Sequence, residues 1–224
     1  MNFYLITAAV SYLLGSIPFG YLLVRIFKGE DVRTSGSGNI GATNVARKSP
    51  ALGAVTLLLD AAKGVAAVEL ARSWLHVPRP ALLMTVAAFF AVVGHLFPLW
   101  LKFHGGKGVA TSLGAFVLLT PKSIVCMVIL FLVIAFAWRY ISLASVAAAV
   151  AFPLLTWVLH EYKDSRQIVL FAAVSALVIW KHRQNLRRLA AGTESKFGKK
   201  REANFRATGT ESSTESVTAG AARR

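Results

Sequence analysis

Negative charge and sulfur are both scarce in this chain. Ten Asp and Glu stand against twenty-five Lys and Arg in 224 residues, and there is one cysteine. A single cysteine, Cys126, excludes a disulfide framework or a cysteine-ligated metal within one chain and says nothing about compartment. The few carboxylates and the histidines lie scattered without ligand spacing, so neither a metal nor any other cofactor is expected. Missing too is a soluble module with aromatic and basic residues interleaved. Despite a formal charge of +15, nucleic acid is therefore not expected as a partner.

What the chain has in excess is apolar sequence: 55% of its residues are hydrophobic, and its mean hydropathy is +0.57. Apolar segments cover residues 2–27, 51–74, 81–101, 123–138, 141–159 and 167–180, each approaching the width of a bilayer as a helix. The first lacks a basic leader and exceeds the length of a signal-peptide core, so it should remain as a spanning helix. A seventh segment, 109–119, is separated from 123–138 by Thr120-Pro121, because proline lacks an amide donor and pushes its predecessor out of helix. At about 1.5 Å per residue it is too short to cross a core of roughly 30 Å unaided.

These segments predict an all-α integral membrane protein with seven transmembrane helices, one of them short. An N-terminus outside and a cytoplasmic C-terminus put Arg25, Arg33, Arg47, Lys102, Lys107, Arg139 and the basic tail inside, as positive charge prefers. Residues 1–194 form the membrane domain, and 195–224, basic and nearly free of apolar residues, read as a disordered tail near anionic headgroups. Membrane lipids are thus expected neighbours, while nothing in the sequence calls for an obligate protein partner.

This topology brings three polar segments to one face. The first is SGSGNIGATNVAR, Ser35 to Arg47. Its glycines let successive amides converge on an anion, Ser35, Ser37, Asn39, Thr43 and Asn44 offer short polar groups, and Arg47 adds a two-pronged fork. A flexible linker would share the glycines and serines but has no need of the asparagines, threonine and arginine. The second pairs Gly94-His95-Leu96-Phe97-Pro98 with Gly105-Gly106-Lys107-Gly108, opening a helix with bare amides and a lysine suited to phosphate. Leu101 and Gly108 occupy positions where a nucleotide-binding P-loop needs glycine and Ser or Thr, so nucleotide hydrolysis gains no support. His95 fits either a structural role at a helix end or a contact with substrate.

The third segment, His182-Arg183-Gln184-Asn185-Leu186-Arg187-Arg188, is expected to continue the last helix past the membrane, with His182, Asn185 and Arg188 following one face at intervals of three. Within the apolar segment 51–74, Asp60 and Lys63 stand three apart. Charges there are costly unless paired, so they should hold each other, with Lys63 a lesser candidate for the phosphate site. Glu69 has no evident partner in the sequence.

Together with Leu14-Gly15-Ser16-Ile17-Pro18 and the terminal Leu189 to Glu194, these motifs in this order resemble the bacterial acyl-phosphate-dependent glycerol-3-phosphate acyltransferases, the PlsY family, over residues 12–194. The resemblance implies a seven-helix enzyme of the bacterial inner membrane with its active site facing the cytoplasm. It implies transfer of a fatty acyl group from acyl phosphate to the 1-hydroxyl of sn-glycerol 3-phosphate, giving lysophosphatidic acid and phosphate, the first acylation step of phospholipid synthesis. It marks Ser35 and Arg47 as essential, Gly105 to Gly108 as the glycerol-phosphate site, His182 and Asn185 as important for activity, and Glu194 as structural. His104 and Gln184 depart from the residues most frequent in the family. The HxxxxD motif of soluble acyltransferases is absent.

Both substrates of such a reaction carry phosphate, which calls for two anion sites built from glycine amides, Arg47, Lys107 and Arg188. Acyl phosphate is already activated, so direct attack by the glycerol hydroxyl suffices, with Ser35, Ser37 and Asn39 orienting phosphate and the developing oxyanion. Either His182 or a substrate phosphate oxygen could take the proton. A membrane transporter or flippase of an organic phosphate is the alternative. It would place broken helices at matched positions in two halves, and no inverted repeat is visible.

Overall fold

The structure is a computed structural model that describes residues 3–73 and 79–198. Every regular element among the described residues is helical: α1 (Phe3–Gly15), α2 (Phe19–Lys28), α3 (Ala42–Ala46), α4 (Pro50–Arg72), α5 (Pro80–Leu96), α6 (Val109–Phe116), α7 (Pro121–Trp138), α8 (Ile141–Val158), α9 (Ser165–Lys181) and α10 (Arg183–Ala190), with short 3-10 turns at Val32–Thr34 and Leu99–Leu101. Five stretches are long and apolar enough to cross a membrane: Phe3–Lys28, Pro50–Arg72, Pro80–Leu101, Pro121–Trp138 and Ile141–Val158. Helix α9 has 17 residues and α6 only eight.

Proline sets the starts of α4, α5 and α7, where the missing donor costs nothing and the ring fixes φ for the first turn. Helix α9 begins with a capping box in which Asp164 and Gln167 satisfy each other's backbone amides. The same Gln167 reaches the Thr85 hydroxyl at 2.7 Å, tying α9 to α5. Glu161 caps α7 from the α8–α9 loop, accepting from the Lys122 and Ser123 amides and the Ser123 hydroxyl.

Two expected helices are divided. Segment 2–27 is not one rod: after Gly15 the chain turns at Ser16 to Pro18 and restarts as α2, because Pro18 cannot carry the hydrogen-bond ladder through. Likewise α9 does not run on through the HRQN sequence. It stops at His182, whose φ of −91° and ψ of 2° lie outside the helical well, and α10 starts at Arg183. Glu69, for which the sequence shows no evident partner, pairs with Arg72 at 3.2 Å on the exposed end of α4.

Lipid offers no hydrophobic drive for helices to associate, so close backbone approach and polar contacts must hold them. Gly64 on α4 faces Gly114 on α6, and a Cβ at either would overlap the other helix's backbone. Phe116, Phe152 and Phe171 close the space between α6, α8 and α9, with ring centroids 4.8 to 5.5 Å apart. In contrast Val125, Ile129, Val133 and Phe136 of α7 face outward, as a lipid-facing helix requires.

Candidate active site

The loop from Ser35 to Arg47 is folded by its own side chains. Val32, Ile40 and Val45 are buried against Val24 of α2 and Leu101, which anchors both ends of the loop to the helix bundle. Asn44, 3% exposed, organises what lies between. Its amide nitrogen donates to the carbonyls of Val32, Ser35 and Asn39 at 3.1, 3.2 and 2.8 Å, and its oxygen accepts from the Ser37 amide at 2.9 Å. The Asn39 side-chain oxygen accepts from the Gly41 amide at 2.8 Å, just before the short helix α3. Gly36, with φ of 63°, lies where a Cβ would overlap the Asn44 oxygen and come within 3.5 Å of Arg47 Cδ. Asn44 is therefore committed to the loop, whereas Ser37, Thr43 and Arg47 are exposed and Ser35 is half-buried.

The Gly105–Gly108 loop folds back on the end of α5. The Gly106 amide donates to the His95 carbonyl at 3.1 Å, and the His95 ring lies where a side chain on Gly106 would be. Gly108, with φ of 83°, serves as N-cap of α6 in a conformation that penalises a side chain. Between them Lys107 is partly buried. Burial draws its pKa down to about 8; Glu194 opposes this, and the positive charges of Arg188 and Arg47 add to it. Two of the cations predicted to bind phosphate thus act on the third, Lys107, although 141 residues separate Arg47 from Arg188.

His182, at the break between α9 and α10, is 2% exposed. Its Nδ1 lies 2.8 Å from the Val178 carbonyl. A carbonyl only accepts, so Nδ1 carries the proton and Nε2 keeps its lone pair. Burial lowers the His182 pKa to about 4, with the Val178 bond opposing, Lys107 reinforcing and Glu194 opposing. The ring is therefore neutral at pH 7.

Glu194 closes this side of the site. Its carboxylate accepts from Ser142 Oγ at 2.7 Å, Asn185 Nδ2 at 2.6 Å and Arg188 Nε at 2.7 Å. Burial opposes ionisation, but these hydrogen bonds hold Glu194 below the usual carboxylate range. Ser142, at the start of α8, is a contributor that sequence reading missed; only its place just after the Arg139-Tyr140 boundary could have drawn attention to it. The chain stays tied down beyond Glu194, since Arg139 exchanges hydrogen bonds with the Phe197 backbone. The rest of the expected tail, 199–224, lies outside the described residues.

Lys63, the lesser candidate for the phosphate site, is held inside the helix bundle. Its side chain is 3% exposed, and its ammonium meets Asp60 Oδ1 at 2.8 Å, the Ile17 carbonyl at 2.8 Å and His95 Nδ1 at 3.0 Å. The Asp60 contact is close in distance but not aligned as a hydrogen bond. Among the described residues, no three His, Cys, Asp or Glu side chains gather closely enough to hold a metal ion.

Residues 5–192 match the glycerol-3-phosphate acyltransferase family. Relatives named glycerol-3-phosphate acyltransferase include one from Agrobacterium fabrum, 47% identical over 87% of this chain and 92% of its own length, and one from Ehrlichia chaffeensis, 40% identical over 88% and 98%. Among solved structures, PlsY, described as an integral membrane glycerol 3-phosphate acyltransferase, superposes in its glycerol 3-phosphate form with a TM-score of 0.80 at 35% identity, covering 87% of this chain and 96% of that one. Its lysophosphatidic acid form gives 0.77 at 33% identity, covering 87% and 95%. The kinship runs from α1 to α10 and takes in the Ser35 loop, the Gly105 loop and the His182 break alike, so the chain belongs to the PlsY family of integral membrane glycerol-3-phosphate acyltransferases.

Proposed function

We propose that this chain transfers a fatty acyl group from acyl phosphate to the 1-hydroxyl of sn-glycerol 3-phosphate at the cytoplasmic face of a bacterial inner membrane, releasing lysophosphatidic acid and inorganic phosphate. The observation that carries the reading is Lys107 on its glycine loop, close enough to Arg188 and Arg47 to feel both charges, beside a buried neutral His182. Two phosphate-bearing substrates need such a cluster of cations. The relatives and PlsY, all named for glycerol 3-phosphate, support the choice of acceptor.

In this scheme Lys107, presented by the Gly105–Gly108 loop, receives one phosphate, while Arg47 and the Ser35 loop receive the other. The glycerol hydroxyl oxygen attacks the acyl carbonyl carbon, the bond from that carbon to the phosphate oxygen breaks, and phosphate departs with the electron pair. Holding two reactants in register supplies several kcal/mol of rate enhancement without a covalent enzyme intermediate. His182 Nε2 accepts a hydrogen bond from the attacking hydroxyl and orients it. At a pKa of about 4 the imidazole is a weak base, whereas a phosphate monoester, with a second pKa near 6, is the stronger one, and the proton passes to it.

Orientation follows the positive-inside rule, with seven crossings when α6 and α9 are added to the five long stretches. Cysteine placed at Ser35 should react with an impermeant reagent only after the membrane is opened, and cysteine at Lys163 should react before. The reverse pattern overturns the topology. Purified protein in lipid, given acyl phosphate and glycerol 3-phosphate, should release phosphate and form lysophosphatidate. Acyl transfer from another donor alone would refute the donor assignment, and uptake into vesicles without product would favour a transporter.

A further inference from the structure

We propose that Asp60, Lys63 and His95 act as one positioning unit that seats the Gly105–Gly108 loop and so aims Lys107. This rests on the phosphate-binding role proposed for that lysine. Three ionisable side chains inside the helix bundle, all within 3.5 Å of a neighbour in the group and each almost fully buried, are costly to keep and need a reason. None of them is used by the acyl transfer itself.

The unit joins three separate pieces of chain. Asp60 and Lys63 come from α4, His95 from the last turn of α5, and the Ile17 carbonyl from the break between α1 and α2. An ammonium has no lone pair, so at the 3.0 Å contact Lys63 donates and His95 Nδ1 accepts. That fixes the tautomer: the remaining proton sits on Nε2, and the ring cannot flip without losing the Lys63 contact. Nε2 is the atom that a Cβ on Gly106 would overlap, so the loop packs directly on the oriented ring. The main chain repeats the contact, since the His95 carbonyl accepts the Gly106 amide at 3.1 Å. One residue on is Lys107, and α6, which follows, packs against α4 at Gly64, the neighbour of Lys63. The buried charges thus control both sides of the loop.

The test uses the full chain in lipid. Replacing Lys63→Met together with Asp60→Asn removes both charges at once and leaves neither buried alone. We expect the KM for glycerol 3-phosphate to rise about ten-fold or more while that for acyl phosphate moves less than about three-fold. Lys63→Arg should recover part of the loss. Equal changes in both constants, or a lower melting temperature with unchanged kinetics, would mean a merely structural role. A double-mutant cycle keeps the claim testable should those variants fail to fold: Gly106→Ala should impair the wild type but cost less than about two-fold in a His95→Ala background, where the ring is gone. Penalties that simply multiply overturn the proposal. If the wild type transfers no acyl group, the proposed function falls, but the positioning claim is still read from the amine-modification rate of Lys107, which the charge-removing variants should change. An unchanged rate there refutes it.

Discussion

Asn44 offers the sharpest perturbation of the Ser35 loop. Replacing it with alanine removes the acceptor of the Ser37 amide and the donor shared by the carbonyls of Val32, Ser35 and Asn39, without touching any exposed group. An amide nitrogen has two hydrogens, so those three carbonyls share them and the set amounts to about three good bonds. At about 1 kcal/mol each, the loss is about 3 kcal/mol, a shift of about a hundred-fold between ordered and disordered loop. Val32, Ile40 and Val45 still anchor the ends, so the effect should stay local and leave the melting temperature of the helix bundle little changed. The assay is phosphate release under steady-state conditions in lipid, with both substrates varied. The expected result is at least a ten-fold fall in kcat/KM although Ser35 and Arg47 are intact. Asn44→Asp, equal in size but presenting an oxygen to the same carbonyls, should be no better. Activity within about two-fold of wild type for Asn44→Ala would refute the claim that this side chain builds the site.

Two other perturbations follow from the same geometry. Burial and its cationic neighbours bring Lys107 to about 8, so in the free enzyme its charge is present below that pH and lost above it; kcat/KM for glycerol 3-phosphate should decline above about pH 8, with kcat declining later because bound phosphate holds the proton. Lys107→Gln should remove that alkaline limb, and a wild-type profile flat to pH 10 would contradict it. Glu194→Gln keeps the shape but loses the charge that faces Arg188, which is 38% exposed and therefore partly screened. A fall in kcat/KM of about ten-fold is expected from one charge-assisted bond, against a smaller loss for Ser142→Ala, as measured by the same kinetics.

Much of this arrangement was legible in the sequence, and the rest was hidden for identifiable reasons. Pro121 and the spacing of Asp60 and Lys63 act within a few residues, and both read true: α7 starts at Pro121, and the ion pair forms. Pro18 is also local, but it lies inside a continuous apolar run where a kinked rod and two helices look alike. Composition could not sort the asparagines either. Asn39 and Asn44 are the same residue type in the same loop, and only the fold gives Asn44 four backbone partners and the Asn39 side chain one. Lys63 and His95 lie 32 residues apart, and Ser142 and Glu194 lie 52 apart, so nothing short of the packed helices brings them together. Burial is equally a product of packing, which is why the sequence offers His182 as an ordinary histidine base and the folded chain makes it a weak one.

The bond set around Glu194 also places a clock on the enzyme. Asn185 and Arg188 are made before the carboxylate that holds them, and Ser142 waits on α8 for a partner that arrives 52 residues later. A nascent chain that has inserted every helix but not yet extended to residue 194 has no complete site, and a chain cut short before that point never acquires one. The site is therefore fully braced only when synthesis has passed the last helix, and copies cut short before residue 194 carry Asn185, Arg188 and Ser142 without the carboxylate that holds them.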